Sequence, residues 1–396
     1  MTRHFKPAAV IFFIVTVFII SAFTNTSIRS SRIPVLKKAN PKIQAAILLD
    51  VSGSMDGLIE QAKAQLWNMV STMGKATCDG GISPKIEIAL YEYGRSTNNQ
   101  AAGYVKQISA FTSDLDMLSK NLFSLTTDGG DEFCGQVIYT SLQELQWDTS
   151  PENMPAVQAS YKVIFIAGNE DFLQGNLLYT KACSEAKQKG VIVNTIYCGD
   201  RMQGIREHWN LNTECGNGSF TVINQNEKIE DIPTPYDSMI ISLNDKLNNT
   251  YLTYGYAGGR SMEMQASVDN MNSGISIGTA VKRAAVKSNS TLYKNESWDM
   301  VDAYGTDEKF IEKLDKKTLP DSLKNKTTEE LKVIVKEKSI ERGNIQKQIV
   351  EASAKRESFI AKEKAKTAVT HHTATLETEV EKIIKEQARR YNMIIR

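Results

Sequence analysis

The sequence predicts an α/β protein with a Rossmann-like, mostly parallel central sheet flanked by helices, followed by an α-helical C-terminal region. Two observations support this prediction. Up to about residue 250, short apolar runs alternate with amphipathic segments, a pattern typical of βαβ units. Beyond that point the composition changes, and the end of the chain is rich in Lys, Glu, Gln and Arg.

The composition limits the classes of function. The chain has 396 residues, enough for two domains and their tails. Basic and acidic residues are nearly balanced, 47 against 46, so we expect no nucleic-acid partner. The five cysteines include no C-x-x-C pair, which argues against a zinc-binding pattern. The four histidines are too few for a histidine-rich metal or catalytic centre.

The N-terminus has the pattern of a targeting element. Basic residues precede a mainly apolar stretch without charged residues, residues 8–23, so residues 1–24 are predicted to be a signal peptide or an uncleaved membrane anchor. Residues 25–41 are polar and turn-rich and form a predicted linker. With either a signal peptide or an anchor, we expect the protein to be exported to the periplasm or cell envelope, or to be anchored in the membrane. Export permits disulfides.

The first predicted strand, residues 43–50, ends in a turn that carries oxygen atoms. Asp50 closes the apolar run, and Ser52 and Ser54 follow at alternate positions before a predicted helix at 57–73. Ligands of open parallel sheets bind at the carboxyl ends of the strands. Carboxylate and hydroxyl oxygens suit a hard cation such as Mg²⁺. A serine-rich turn that caps the helix is the alternative interpretation.

The D-V-S-G-S turn of residues 50–54, placed after a buried strand, resembles the metal-ion-dependent adhesion site of von Willebrand factor A domains. The resemblance implies a domain over residues 42–250. The segments 166–170, 198–199, 233–237 and 247–251 further resemble an exported bacterial subgroup of the family. The family resemblance also implies an Mg²⁺ ion, with Mn²⁺ or Ca²⁺ as alternatives. The turn, a threonine on a second loop and an aspartate after a later strand would hold the ion. A carboxylate from a protein partner would complete the coordination.

The second loop departs from the family pattern. After two glycines, Asp131 and Glu132 stand where the family often has a threonine. A carboxylate would then replace a neutral hydroxyl and raise the negative charge of the site, or Thr126 or Thr127 would reach the ion instead. An acidic surface turn without function is the alternative.

The third loop departs as well. The predicted strand 161–167 is followed by Asn169 at the position of the family's aspartate. An asparagine offers a carbonyl oxygen but no charge. Glu170 and Asp171 follow directly and would compensate for the missing carboxylate. The predicted metal ligands are therefore Asp50, Ser52, Ser54, Asp131, Glu132 and Asn169.

The period of the apolar residues predicts the other elements of the domain. Predicted strands cover residues 85–93, 105–108, 191–197 and 218–223. Predicted helices cover residues 113–122, 137–145, 177–189, 235–247 and a short segment from 206 to near 216. Cys134 and Cys198 both follow positions at the edge that would carry the metal, so we expect a disulfide between them.

The last third of the chain is predicted to be helical. Residues 251–326 form a connecting region, and residues 327–396 contain a long charged helix and a terminal helix. Thr327 and Glu330 match a capping box at the start of the long helix. Charged residues interrupt its apolar seam, so a solvated helix or helical hairpin is as good an interpretation as a coiled coil that forms homo-oligomers. The terminal helix is expected to pack back on the long helix.

These features favour a non-enzymatic, divalent-metal-dependent binding module of the cell envelope, with an adhesion or scaffold role and a protein partner. One alternative is a degenerate A-domain scaffold whose helical tail mediates assembly. Another is a hydrolase that uses Asp50 or Ser52, but residue 52 is not the second aspartate that dehalogenase-type phosphatases need, and no G-x-S-x-G elbow is present. The membrane would be a partner only if residues 1–24 are not cleaved.

Overall fold

The computed structural model describes residues 41–149, 159–214, 218–224, 226, 231–367 and 376–395. They belong to one compact unit that begins at Asn40. The predicted targeting segment, residues 1–24, and nearly all of the predicted linker lie outside the described residues. Within the described ranges, the structure contains no helix of the length and apolar character that a membrane span requires.

The described residues form a central sheet of six strands in the order β4-β3-β1-β5-β6-β7, and a small ribbon pairs β2 with β8. Neighbouring strands of the central sheet are parallel, except that β4 is antiparallel to β3. The strands are β1 (Lys42–Asp50), β2 (Ala76–Thr77), β3 (Lys85–Tyr93), β4 (Lys106–Thr112), β5 (Tyr161–Gly168), β6 (Ile192–Cys198), β7 (Phe220–Ile223) and β8 (Ile394–Ile395).

This sheet, its flanking helices and the helical C-terminal region confirm the predicted fold class. The strand predicted at residues 105–108 is the antiparallel β4, which extends to Thr112. Its connection to β3, residues 94–105, contains a 3₁₀ turn, Gln100–Ala102, and no α-helix. Crossovers between parallel strands usually pass through an α-helix, so this connection suits the antiparallel arrangement.

Helices cover both faces of the sheet. They are α1 (Asp56–Gly74), α2 (Leu115–Phe123), α3 (Cys134–Glu144), α4 (Tyr179–Lys189), α5 (Arg201–Arg206), α6 (Asp237–Asn248), α7 (Gly258–Ile275), α8 (Ile277–Lys287), α9 (Met300–Thr306), α10 (Thr328–Thr367) and α11 (Leu376–Ala388).

The alternation of side chains along the strands creates two cores. In β1, Ile43, Ala45 and Leu49 face one core, and Ala46 and Leu48 face the other. The first core includes side chains from α1, α2, α6, α7, α8, α10 and α11, and the second from α3 and α4. A parallel sheet covered on both faces needs apolar residues on both sides of its strands, which explains the nearly continuous apolar run of β1.

The long helix α10 begins at the predicted capping box, which is confirmed. The backbone N–H of Thr327 donates to Oε2 of Glu330 (2.7 Å), and the N–H of Glu330 donates to Oγ1 of Thr327 (3.1 Å). Two buried arginines of α10 tie it to the rest of the unit. Arg342 donates to Asp299 (2.7 Å), and Arg356 donates to Asp237 at the start of α6 (2.8 Å).

The terminal helix α11 lies against α1 and the sheet, not along α10 as expected. Val380, Ile383 and Ile384 are buried in the first core. At the end of the helix, Nε2 of Gln387 donates to Oδ1 of Asn194 in β6 (2.7 Å). The broken apolar seam of α10 offers little surface for α11 to cover, whereas the open face of the sheet offers much more. The last helix therefore completes the sheet's core.

We predict that Ile384→Ala lowers the free energy of unfolding by about 2–5 kcal/mol, because it opens a cavity in a fully buried position between α11 and the sheet. Urea unfolding followed by circular dichroism measures the change. The matched control is Lys382→Ala, an exposed position of the same helix, which should change stability by less than about 0.5 kcal/mol. Equal effects of the two substitutions would contradict the placement of α11 in the core.

Candidate metal centre

The predicted site lies where β1 and β5 end side by side. The parallel register pairs Leu49 with Ala167, so Asp50 and Gly168 close adjacent strands. Position 168 has no room for a side chain. A Cβ there would lie 2.6 Å from the hydroxyl of Tyr93 and 3.1 Å from Oδ2 of Asp50. This glycine lets the end of β5 approach the buried carboxylate.

The turn after β1 brings three of the predicted ligands to Asn169. The N–H of Ser52 donates to Oδ1 of Asp50 (2.7 Å), which folds the turn back over the strand end. The hydroxyl oxygens of Ser52 and Ser54 are 3.4 Å apart. Nδ2 of Asn169 donates to Oγ of Ser54 (3.1 Å). Asp50, Ser52, Ser54 and Asn169 thus lie next to one another in this order.

The second loop delivers Glu132 to the site and leaves Asp131 in solvent. Glu132 is buried, whereas its neighbour Asp131 is exposed. The two carboxylate residues of the site meet at Gly94, which follows β3. A Cβ at this glycine would lie 2.8 Å from Oδ1 of Asp50 and 2.9 Å from Cγ of Glu132. Its φ of +82° is in the left-handed region that favours glycine.

The two threonines of the second loop have other contacts. The hydroxyl of Thr127 donates to the carboxylate of Asp56, at the start of α1. Thr126 is exposed, and its carbonyl accepts a hydrogen bond from the Arg95 guanidinium. The residue of the second loop that lies beside Asp50 is therefore Glu132.

Burial makes the two carboxyl groups costly to ionise. Asp50 is 0% exposed and Glu132 is 5% exposed, and both carboxyl groups lie against Gly94. Burial raises the pKa of Asp50 to about 6. Burial, and next the charge of Asp50, raise the pKa of Glu132 to about 8. Without a cation, Glu132 therefore keeps its proton at neutral pH.

The donor set fits a hard divalent cation. Oδ2 of Asp50 and Oε2 of Glu132 are buried without a hydrogen-bond partner among the described residues, and such groups are rarely left unsatisfied. The other nearby groups that could ligate a metal are two hydroxyls and an amide. An all-oxygen set of this kind suits Mg²⁺, Mn²⁺ or Ca²⁺. In the part of the chain that the structure describes, His, Cys, Asp and Glu form no metal-binding group of three or more. An ion would therefore depend on the neutral oxygens and on water.

Several supporting residues were not predicted. The hydroxyl of Tyr93 donates to the carbonyl of Ala167 beneath the site (2.9 Å). The indole N–H of Trp209 donates to the carbonyl of Glu170 (2.7 Å). Nδ1 of His208 lies 3.0 Å from Oδ1 of Asp171. These contacts join segments that are far apart in sequence, so no local pattern predicts them. The sequence does show Gly94 after β3, whose position next to the site could have been suspected from the glycine alone.

The expected Cys134–Cys198 disulfide is wrong. Both residues are buried free thiols, and Sγ of Cys134 lies 3.8 Å from the Tyr93 hydroxyl. Cys183, on α4, is disulfide-bonded. Burial raises the thiol pKa of both Cys134 and Cys198 well above the usual range. The apolar surroundings of these two thiols therefore keep them protonated.

No family model matches the chain, and no curated protein matches it. Among solved structures, proximal thread matrix protein 1 from the mussel byssus is similar, with a TM-score of 0.34 and 12% identity over 48% of this chain and 43% of that chain. The form of that protein with a zinc-occupied MIDAS motif gives a TM-score of 0.33 and 12% identity over 46% and 42%. The SpRpn10 VWA domain gives 0.32 and 14% identity over 46% and 88%. The match spans less than half of the mussel protein.

We predict that, in the presence of a chelator, the protein loses stability as the pH rises from about 4.5 to about 8. The raised pKa of Glu132 means that the folded state binds more protons than the unfolded state in this window, so the free energy of unfolding falls with pH. Urea unfolding at pH 5, 6, 7 and 8 measures this slope. Glu132→Gln should flatten it, and an equal slope in both proteins would contradict the raised pKa.

Proposed function

We propose that the chain is a non-enzymatic binding module that holds a divalent cation at the carboxyl edge of its sheet. Mg²⁺, Mn²⁺ or Ca²⁺ would bind the carboxylates of Asp50 and Glu132, the hydroxyls of Ser52 and Ser54, and the amide oxygen of Asn169. The observation that carries this proposal is the pair of buried carboxylate oxygens that have no hydrogen-bond partner in the described part of the chain. A cation would give both oxygens a partner and offset their charge.

The exposure of the donors supports a role in binding a partner. Asp50, Ser52 and Glu132 are buried, whereas Ser54 is exposed and Asn169 is half-buried. An ion held from the buried side would keep positions for water or for a partner's oxygen on the side of Ser54 and Asn169. Following the resemblance, we propose a protein partner that supplies a carboxylate oxygen at such a position.

The place of action is part of the same proposal. The predicted targeting segment, residues 1–24, supports an exported protein that acts in the periplasm or cell envelope, either released or anchored to the membrane. Adhesion or scaffolding in that compartment fits a module whose exposed ion recruits a second protein.

A hydrolase is not favoured by the contacts of the candidate nucleophile. The imidazole of His208, the histidine considered as the base of Ser52, pairs with Asp171 instead. The described residues therefore contain no Ser52–His208 pair of the kind found in catalytic triads. The scaffold alternative, in which the helical tail mediates assembly, predicts that loss of the ion leaves partner binding unchanged.

We predict that Asp50→Asn abolishes cation binding, because the amide removes a buried negative charge and keeps the size of the side chain. Isothermal titration of Mg²⁺, Mn²⁺ and Ca²⁺ into the protein measures this. The control is Glu60→Gln, an exposed acid on α1 whose loss should change the affinity by less than about twofold. Saturable binding of the same strength by Asp50→Asn would contradict the proposed site.

The neighbouring acids of the second loop provide a sharper comparison. We predict that Glu132→Gln weakens Mg²⁺ binding at least about 100-fold, because it removes one charge of a buried interaction. Asp131→Asn, one residue away and exposed, should weaken it less than about twofold. The same titrations distinguish the two residues. A larger loss for Asp131→Asn would show that the loop presents the other carboxylate to the ion.

A further inference from the structure

The loop between β5 and α4 contacts the segment that carries Glu132. Of the residues in this loop, only the first, Asn169, is a proposed ligand. We propose that Gln174, in this loop, is a positioning residue that directs the carboxylate of Glu132 toward Asp50 through a hydrogen bond to the Glu132 backbone. This inference rests on the proposed metal-binding function and adds to it a residue that does not touch the ion.

The contact itself is specific. Oε1 of Gln174 accepts a hydrogen bond from the N–H of Glu132 (3.2 Å). Glu132 precedes α3 and lies outside regular secondary structure, so neither helix nor strand provides a partner for this N–H. An acceptor at a fixed place determines the orientation of the peptide group between Asp131 and Glu132. That orientation decides which of the two acids turns inward, and the structure has Glu132 buried and Asp131 exposed.

The residue after Gln174 makes a second contact with the segment that carries Glu132. Gly175 has φ +90°, and a Cβ at this position would lie 2.7 Å from Cγ of Phe133. On the same aromatic side chain, the ring of Tyr104 makes an edge contact with a centroid distance of 5.7 Å. Phe133 is therefore held by Gly175 and Tyr104 while the preceding residue, Glu132, is held by Gln174.

The loop is itself anchored, so the Gln174 oxygen has a defined position. Beside the metal edge, the indole of the fully buried Trp209 donates to the Glu170 carbonyl, and the imidazole of His208 pairs with Asp171. His208 has a left-handed backbone, with φ +64°, a conformation that a non-glycine residue keeps only where its surroundings impose it. The N–H of Gln174 in turn donates to the Asp171 carbonyl (3.1 Å).

A chain of contacts thus runs from the segment after β6 to the carboxylate. His208 and Trp209 hold the loop at residues 170 and 171, the turn from Asp171 presents Gln174, and Gln174 orients Glu132. Hydrogen bonds that orient metal ligands typically change metal affinity about 10- to 100-fold when they are lost. Gln174→Met keeps the length of the side chain and removes the acceptor, and Gln174→Glu keeps an acceptor oxygen.

The test is a double-mutant cycle for Mn²⁺ binding, measured by titration with electron paramagnetic resonance detection of free Mn²⁺. We expect Gln174→Met to weaken binding about tenfold in the otherwise wild-type protein and less than about twofold in the Glu132→Gln background, because it acts only through Glu132. Gln174→Glu should retain wild-type affinity within about threefold. Amide hydrogen exchange, followed by NMR, should show that the Glu132 N–H exchanges faster in Gln174→Met than in the wild-type protein. The same N–H should exchange at the wild-type rate in Gln174→Glu.

An unchanged Mn²⁺ affinity in Gln174→Met would overturn the inference, as would an equal loss in both backgrounds, which is the result of a merely structural role. The hydrogen-exchange result remains decisive if Glu132→Gln binds too weakly for the cycle, since unchanged exchange of the Glu132 N–H would also overturn the inference. Absence of Mn²⁺ binding by the wild-type protein would instead contradict the proposed function. The two failures are therefore distinguishable.

Discussion

The candidate site depends on two carboxyl groups that the fold buries together at the end of a parallel strand. Asp50 and Glu132 meet where the chain has no room for a further side chain, because Gly94 and Gly168 both approach Asp50 closely. Each acid keeps one oxygen without a hydrogen-bond partner within the described chain. Without a cation the pair must hold a proton, and with one it becomes an oxygen-rich site. The surrounding fold keeps this otherwise unfavourable arrangement in place.

Burying two carboxyl groups costs free energy. Apolar packing on both faces of the sheet offsets this cost. The core that includes α1 also takes in α6, α7, α8, α10 and α11, so the C-terminal helices belong to the same compact unit as the sheet. Buried ion pairs fasten these helices. Arg342 bonds Asp299, and Arg283 bonds both Asp116 and Asp269. The attraction within such a pair is largely offset by the cost of removing both charges from water, whereas loss of one member leaves the other charge buried without a partner.

The site was predictable to the extent that local sequence controls it. Asp50, Ser52 and Ser54 lie in one turn, and the apolar strand before them places the turn at the edge of the sheet. The choice between Asp131 and Glu132 was not accessible, because two adjacent acids in an irregular loop have no period that says which one turns inward. That choice depends on Gln174, which is 42 residues away from Glu132 in sequence. The expected Cys134–Cys198 disulfide failed for a related reason, since proximity to one edge says nothing about side-chain direction.

The sequence by itself determined the six strands of the central sheet, the capping box of α10 and the oxygen-bearing turn after β1, because each depends on residues within a few positions of one another. Only the tertiary structure decided that β4 runs antiparallel, that α11 covers the sheet, and that Glu132 faces Asp50. These outcomes follow from long-range contacts, in which the gain from burying apolar surface and satisfying polar groups outweighs local preference. A pattern along the chain records which side chains need partners, and the packed fold decides which partners they obtain.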